Sequence, residues 1–309
     1  MYIPLRYFLL IFIGMLYFQV FANPFLAEKV SKPADEIYKN TYQFHFRKVD
    51  SLIHTNNNLY RDNLEFNLAV INYYWWRLIS DEQNTTFSEL LSQRIKKLKT
   101  QYPADQPIPD NEQLFLLISI YTYSARVSLL NYSYYAALND LSEYYSLIKR
   151  SFGRETRYCP FYLTSGLYYY FTGYARLKMP LLAPFLHFYT PGDIEKGLLF
   201  IRKAEACSDP KITQESWYFL MKINFDINRN YKEAGKYCNQ LLALYPDNLL
   251  FQLYMLRISL AVKQPEVAKS RMYILKRTAI RNPELTPGER NYYIQLAETE
   301  LSAFNQREK

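Results

Sequence analysis

The chain has 309 residues, of which 31 are Tyr, 20 are Phe and only 8 are Gly, and its formal net charge is +8. So few glycines argue against dinucleotide-binding folds and phosphate-binding loops, which need glycine where the backbone approaches a ligand closely. The densest basic cluster, from Arg94 to Lys99, contains Ile95 and Leu98 three residues apart. That spacing predicts an amphipathic helix whose basic side faces solvent. We favour this interpretation over a nucleic-acid-binding surface.

The first 22 residues have the three parts of a secretory signal peptide. Arg6 supplies a positive charge, Tyr7–Phe18 is almost wholly apolar, and Val20 and Ala22 have the spacing of a cleavage site. The apolar run is short for a membrane-spanning helix, which needs about 20 residues. We therefore expect cleavage after Ala22 and a mature chain, starting at Asn23, that is periplasmic or secreted. An uncleaved membrane anchor is the alternative.

Segments with helical periodicity follow, separated by short polar breaks, and no stretch alternates with the period of two that a strand requires. Sequences typical of helix starts support this interpretation. Thr86–Glu89, Asp110–Gln113 and Thr286–Glu289 have capping-box spacing, and Pro265 and Pro287 suit first helical positions. The pattern predicts roughly twelve helices and no sheet.

The segment from Tyr218 to Pro246 has the spacing of a tetratricopeptide repeat, a helix pair that recurs with a period of about 34 residues. A shift by one such period takes Met221, Ala234, Cys238 and Leu241 to Met255, Ala268, Met272 and Leu275. Small residues thus align with small ones and apolar residues with apolar ones. Gly197 and Ala137 each begin a similar spacing upstream, in a drifting phase.

These patterns predict an all-α fold, a right-handed helical-repeat solenoid of tetratricopeptide-like antiparallel helix pairs. Such pairs cannot bury their apolar faces alone, and stacking makes the core continuous. We expect a signal peptide over residues 1–22, irregular helical repeats over 23–150 and more regular repeats over 151–309.

One stretch, Gly166–Ala204, combines an aromatic helix, Met179-Pro180, a short apolar segment, a break at Pro191–Asp193 and a Gly-Leu-rich helix. Here and from Tyr218 to Ala268, the chain resembles the tetratricopeptide family that includes the yeast inclusion-body-clearance protein and its animal relatives. The resemblance implies a helical interaction protein without catalysis, linked in those relatives to lipid-droplet or membrane-associated functions. This chain departs from that family in having a signal sequence.

No motif indicates a catalytic, cofactor or metal site. His45 and His187 lie among aromatic or apolar residues and lack the spacing of metal ligands. We therefore expect no enzymatic activity, no cofactor and no bound metal.

The chain has three cysteines, Cys159, Cys207 and Cys238, without Cys-x-x-Cys spacing. An odd and sparse set is not typical of a disulfide framework, and we interpret each as a buried core residue. The repeat phase offsets Cys207 from Cys238 along parallel helices by more than the Cα separation of about 7 Å that a disulfide allows. We expect no bond between those two.

Aromatic clusters are the remaining signal, as in Tyr73–Trp76, Asn131–Tyr135 and Tyr168–Phe171. Consecutive residues cover most of a helix circumference, so these side chains either fill the core between neighbouring helices or line a groove. In a tetratricopeptide stack the first helix of each pair lines the concave groove. The candidate partner-binding residues are Tyr168, Tyr169, Tyr218 and Tyr254.

The sequence therefore predicts an exported, non-enzymatic scaffold that binds a protein partner in the cell envelope or periplasm. Peripheral membrane association is compatible with this hypothesis, and nucleic-acid binding is not expected. The alternative is a protein whose aromatic groove holds a glycan or a lipid.

Overall fold

A computed structural model describes residues 32–80, 85–131, 133–178 and 186–307. All regular secondary structure in these ranges is helical, which confirms the all-α prediction for them. The predicted signal peptide and its cleavage site, and Met179-Pro180, lie outside the described residues.

Thirteen α-helices are described, close to the number expected. In chain order they are α1 (Lys32–Tyr42), α2 (Phe46–Asn56), α3 (Leu64–Ser80), α4 (Thr85–Gln101), α5 (Asn111–Leu130), α6 (Tyr134–Ile148), α7 (Pro160–Lys178), α8 (Ile194–Ala204), α9 (Pro210–Lys222), α10 (Tyr231–Leu244), α11 (Leu249–Ala261), α12 (Pro265–Arg281) and α13 (Pro287–Arg307). A π-helical turn, Ile223–Ile227, follows α9. Within the described ranges, no helix is long and apolar enough to cross a membrane.

Three predicted helix starts are confirmed, whereas the predicted cap Thr86 lies inside α4, which already includes Thr85. The Asp110 carboxylate accepts a hydrogen bond from the Gln113 N–H at 2.7 Å and caps α5. At the start of α13 the Thr286 N–H donates to Glu289 Oε2 at 2.8 Å, and the Glu289 N–H donates to Thr286 Oγ1 at 3.2 Å. Pro265 is the first residue of α12.

Contacts divide the described residues into two compact units, each assembled from separate stretches of chain. Of the described residues, the first unit comprises 62–71, 88–131, 133–178 and 186–216, and the second comprises 32–61, 72–80, 85–87 and 217–307. This division by contact is separate from the predicted change in repeat regularity near residue 150, which stays a prediction.

In the first unit, α5 packs against α6 and α7 packs against α8. Two glycines allow α7 and α8 to approach closely. A Cβ atom on Gly197 would lie 2.4 Å from the backbone nitrogen of Tyr170, and one on Gly166 would lie 2.8 Å from that of Ile201. The buried face of α8 consists of Gly197, Ile201 and Ala204, the small-then-apolar spacing found in the sequence.

The basic segment of α4 has the amphipathic character that its sequence predicts. Ile95 and Leu98 are buried, whereas Lys96 and Lys97 are exposed. Lys97 forms an exposed ion pair with Asp62 at 3.7 Å.

A disulfide joins Cys159, at the start of α7, to Cys207, just after α8, with 5.9 Å between the Cα atoms. The expectation that every cysteine is an unbonded core residue is therefore wrong for these two. Because α7 and α8 are antiparallel, the start of one lies beside the end of the other, although the cysteines are 48 residues apart in sequence. Cys238 is free and buried, and the expectation that it is not bonded to Cys207 is confirmed.

The second unit shows the repeat spacing in both its core and its backbone. All six residues of the second helices that the repeat aligns are buried: Ala234, Cys238, Leu241, Ala268, Met272 and Leu275. Arg229 and Lys263, which are one repeat period apart and precede α10 and α12, have positive φ angles of 56° and 57°. These features are consistent with a helical repeat.

The π-helical turn shifts the repeat by one residue upstream of it. The Asn230 N–H donates to the Asn224 carbonyl, six residues back, whereas the equivalent Gln264 N–H donates to the Ser259 carbonyl, five residues back. A π-turn accommodates one extra residue in this way. The structural equivalent of Met221 is therefore Leu256, and the predicted alignment of Met221 with Met255 is wrong by one position.

Candidate functional site

The four tyrosines suggested by the sequence are all buried. Tyr168, Tyr169, Tyr218 and Tyr254 are 6%, 7%, 1% and 3% exposed, respectively. The expectation of exposed aromatic side chains at these positions is therefore wrong. Whether any of the four contributes to partner binding is untested and stays a prediction.

Tyr168 and Tyr169 pack inside the first unit, and both rings contact Phe152. The Tyr168 hydroxyl donates to the Thr190 carbonyl at 2.8 Å. The Tyr169 ring stacks on Phe152, with 5.2 Å between ring centroids, and lies 3.7 Å from the Lys196 ammonium. Both rings therefore contribute to packing.

Tyr218 is covered by the chain's own N-terminal helices. Trp76, from α3, lies 6.3 Å from Tyr218 and 6.0 Å from Phe251, between ring centroids. Phe44, in the turn between α1 and α2, makes an edge contact with Tyr293 at 5.7 Å. These contacts involve α9, α11 and α13, so the aromatic surface around Tyr218 is covered by other parts of the same unit.

Two asparagines at equivalent repeat positions anchor the turn between α1 and α2. The Asn248 amide donates to the Tyr42 carbonyl at 2.8 Å, and the Asn282 amide, one repeat period later, donates to the Phe44 carbonyl at 3.2 Å. Phe44 has a φ of 59°, which is unusual for a bulky residue. The asparagines satisfy carbonyls at the end of α1 and fix the turn in place.

An open groove of about 450 Å³ remains elsewhere in the second unit. We call it the Phe225 groove. It is lined by Phe225, Asp226, Arg229 and Tyr231 from the π-turn and the start of α10, by Arg257, Leu260 and Ala261 from α11, and by Glu300, Ala303 and Phe304 from α13. It therefore lies between the π-turn after α9, the start of α10 and the C-terminal parts of α11 and α13, and α12 contributes no lining residue.

Tyr254 supports this groove from beneath. Its hydroxyl donates to Asp226 Oδ2 at 3.2 Å and accepts a hydrogen bond from the Lys222 ammonium, which also pairs with Asp226 at 2.9 Å. The Tyr254 ring meets the edge of Phe225 at 5.5 Å. Burial raises the pKa of Tyr254 to about 12, so the hydroxyl stays protonated at neutral pH and orients Asp226.

The charges that line the Phe225 groove are balanced with one exception. Arg257 pairs with Glu300, with 2.8 Å between Nη2 and Oε1, and Asp226 pairs with Lys222. Arg229 is exposed and has no hydrogen bond or ion pair from its side chain to any described residue. One uncompensated guanidinium therefore faces solvent at the groove.

The backbone beside the groove has two uncommon conformations, the π-turn and the left-handed Arg229. π-Turns are frequent at functional sites, whereas the left-handed conformation recurs at Lys263 and is a feature of the repeat. The sequence pattern did not indicate Phe225, Arg229, Arg257 or Phe304 as binding residues. A π-turn has no recognisable composition, and the pairing of Arg257 with Glu300 depends on how α11 and α13 pack.

Ring faces, small apolar side chains and fixed charges give this groove the chemistry of molecular recognition. No protein-family model, curated protein or solved structure matches the chain. The resemblance to the tetratricopeptide family therefore stays a prediction.

Proposed function

We propose that this chain is an exported, non-enzymatic scaffold that binds a segment of a protein partner in the Phe225 groove. The observation that carries the proposal is the groove itself, in which aromatic side chains and paired charges from the π-turn, α10, α11 and α13 lie together at the surface. Its volume of about 450 Å³ falls within the range of about 300–1,000 Å³ typical of ligand sites.

The proposed architecture is a right-handed solenoid of tetratricopeptide-like antiparallel helix pairs. Two features that recur one tetratricopeptide period apart support it. They are the buried Ala234 and Ala268 and the left-handed Arg229 and Lys263. Stacked repeats generate extended surfaces suited to polypeptides. That geometry favours a protein partner over a small molecule.

Export to the envelope or periplasm is proposed from two independent features. The first is the signal-like sequence before Asn23. The second is the disulfide between Cys159 and Cys207, since disulfides persist in oxidising compartments and are rare in the cytosol. Peripheral association with a membrane is compatible with this location.

A glycan or lipid is the second candidate ligand. The observation that favours it is the half-buried ring pair of Phe225 and Tyr231, whose centroids are 5.5 Å apart at 59°. Tilted rings of this kind offer apolar faces to a sugar or an acyl chain. A thermal shift with glycans or lipids, without capture of any protein, would favour this function.

The direct test of a protein partner is capture by the full chain from envelope fractions after crosslinking. Phe304→Ala removes a ring that lines the groove, and Tyr273→Ala removes a ring that is 65% exposed elsewhere. We expect Phe304→Ala to reduce capture at least about fivefold, because aromatic anchors dominate interface energies. Tyr273→Ala should capture as the wild type does, and both should keep the wild-type melting temperature. Equal capture by all three proteins would contradict the proposal.

A further inference from the structure

The unbalanced charge of the Phe225 groove indicates what kind of segment it binds. We infer, resting on the proposed function, that the partner presents a carboxylate side chain next to a large apolar side chain. The carboxylate would meet Arg229, and the apolar side chain would lie among Phe225, Tyr231 and Phe304.

The ion pairs at the groove determine which charge is left for a ligand. Asp226 is neutralised by Lys222, and Glu300 by Arg257, so neither carboxylate requires a cation from the partner. Arg229 lines the same groove, and its side chain forms no ion pair with any described residue. A guanidinium presents donors in a planar fork that matches a carboxylate, which makes an acidic side chain the complementary partner.

The backbone fixes where the Arg229 side chain begins. On one side the Asn228 N–H donates to the Ile223 carbonyl at 2.9 Å, and on the other the Asn230 N–H donates to the Asn224 carbonyl at 2.8 Å. The Asn230 side chain also accepts from the Glu233 N–H at 3.3 Å and caps α10. Because this backbone is ordered before binding, less conformational entropy is lost when a ligand binds.

The apolar part of the groove suits a large side chain. Ala261 and Ala303 are small and leave space between α11 and α13, while Leu260 is buried beneath them. Phe304 and Tyr231 are half-buried, so each offers part of a ring to a ligand. A bulky apolar side chain that enters here gains the free energy of leaving water.

The test is selection of a random peptide library, displayed on phage, against the full mature chain. Four proteins are compared: the wild type, Arg229→Glu, Lys232→Glu and Phe304→Ala. Lys232→Glu is the matched control because it makes the same charge change three residues away, at an exposed residue outside the groove lining. Circular dichroism and melting temperatures verify that all four proteins are folded alike.

We expect the wild type and Lys232→Glu to enrich peptides with an acidic residue beside a large apolar residue. Arg229→Glu should retain those peptides about fivefold less well, as expected for the loss of an exposed ion pair, and should select basic residues instead. Enrichment without acidic residues, or equal retention by Arg229→Glu, would overturn the inference.

Phe304→Ala separates this inference from the proposed function. If Phe304→Ala loses the selected peptides while Arg229→Glu keeps them, the groove binds peptides and only the charge inference fails. If Phe304→Ala keeps them, peptides bind elsewhere and the proposed function fails. A library that yields no enrichment over background counts against both.

Discussion

At the scale of single residues, Arg77 in α3 carries a buried charge, which requires partners within the second unit. Its Nε lies 2.5 Å from Glu289 Oε1, its Nη1 lies 3.3 Å from Asp50 Oδ2, and its guanidinium lies 4.2 Å from the Phe87 ring centroid. Glu289 is almost wholly buried as well. A buried charge that loses its partner is costly, so this pair links α3 to α13.

Glu289→Gln tests that link, because glutamine retains the capping-box hydrogen bonds with Thr286 but removes the charge. We expect the free energy of unfolding, measured by urea denaturation, to fall by about 3 kcal/mol. Glu300→Gln, which breaks the half-exposed pair with Arg257, should cost about 1 kcal/mol or less. Equal small losses from both substitutions would show that the buried pair of Arg77 and Glu289 stabilises the fold no more than the half-exposed pair of Arg257 and Glu300.

The three cysteines provide a second prediction at this scale. Burial raises the pKa of Cys238 to about 12, so a neutral thiol is retained at about pH 7. A thiol reagent should modify no cysteine in the native protein, one after unfolding, and three after unfolding and reduction. Three reactive thiols before reduction would mean that Cys159 and Cys207 are not bonded.

At the scale of helices, close approach between α7 and α8 depends on glycine. The backbone of Tyr170 lies where a side chain on Gly197 would begin. Close-packed interiors accommodate extra atoms only by moving the backbone or straining side chains. Gly197 therefore fixes the spacing of this pair.

Gly197→Ala should lower the free energy of unfolding by about 2 kcal/mol, because the new methyl group forces the two helices apart. Gly235→Ala is the matched change in α10, where the nearest atom to the added Cβ is 3.7 Å away. There we expect a gain of about 0.5–1 kcal/mol from helix propensity. Thermal unfolding of both variants measures the difference, and a loss at Gly235 as large as at Gly197 would contradict this packing.

The helices show which features the sequence could predict. Capping by Thr286 and Glu289 is local, and the small residues Ala234 and Ala268 repeat at a fixed spacing, so both were accessible without a structure. The disulfide and the burial of Tyr218 arise from residues far apart in the chain. To predict them, one must know which helices are neighbours in the fold, and the spacing of residues along the sequence does not show this.

At the scale of the whole molecule, the chain's own N-terminal helices cover Tyr218, one of the four tyrosines that the repeat pattern suggested for a partner. Asn248 and Asn282 fix that arrangement by binding backbone carbonyls near Phe44. Partner binding is therefore proposed for the Phe225 groove, whose aromatic and charged side chains reach solvent. The π-turn that helps to form this groove shifts the repeat by one residue, which explains why the sequence pattern alone did not reveal it.

The most direct measurement is photo-crosslinking in the native cell from a crosslinking amino acid placed at position 304. The adducts are compared with those from the same amino acid placed at position 273. We predict a discrete adduct with an envelope protein from position 304 and none from position 273, although Tyr273 is the more exposed side chain. The absence of an adduct at 304, or the same adducts at both positions, would contradict partner binding in the Phe225 groove.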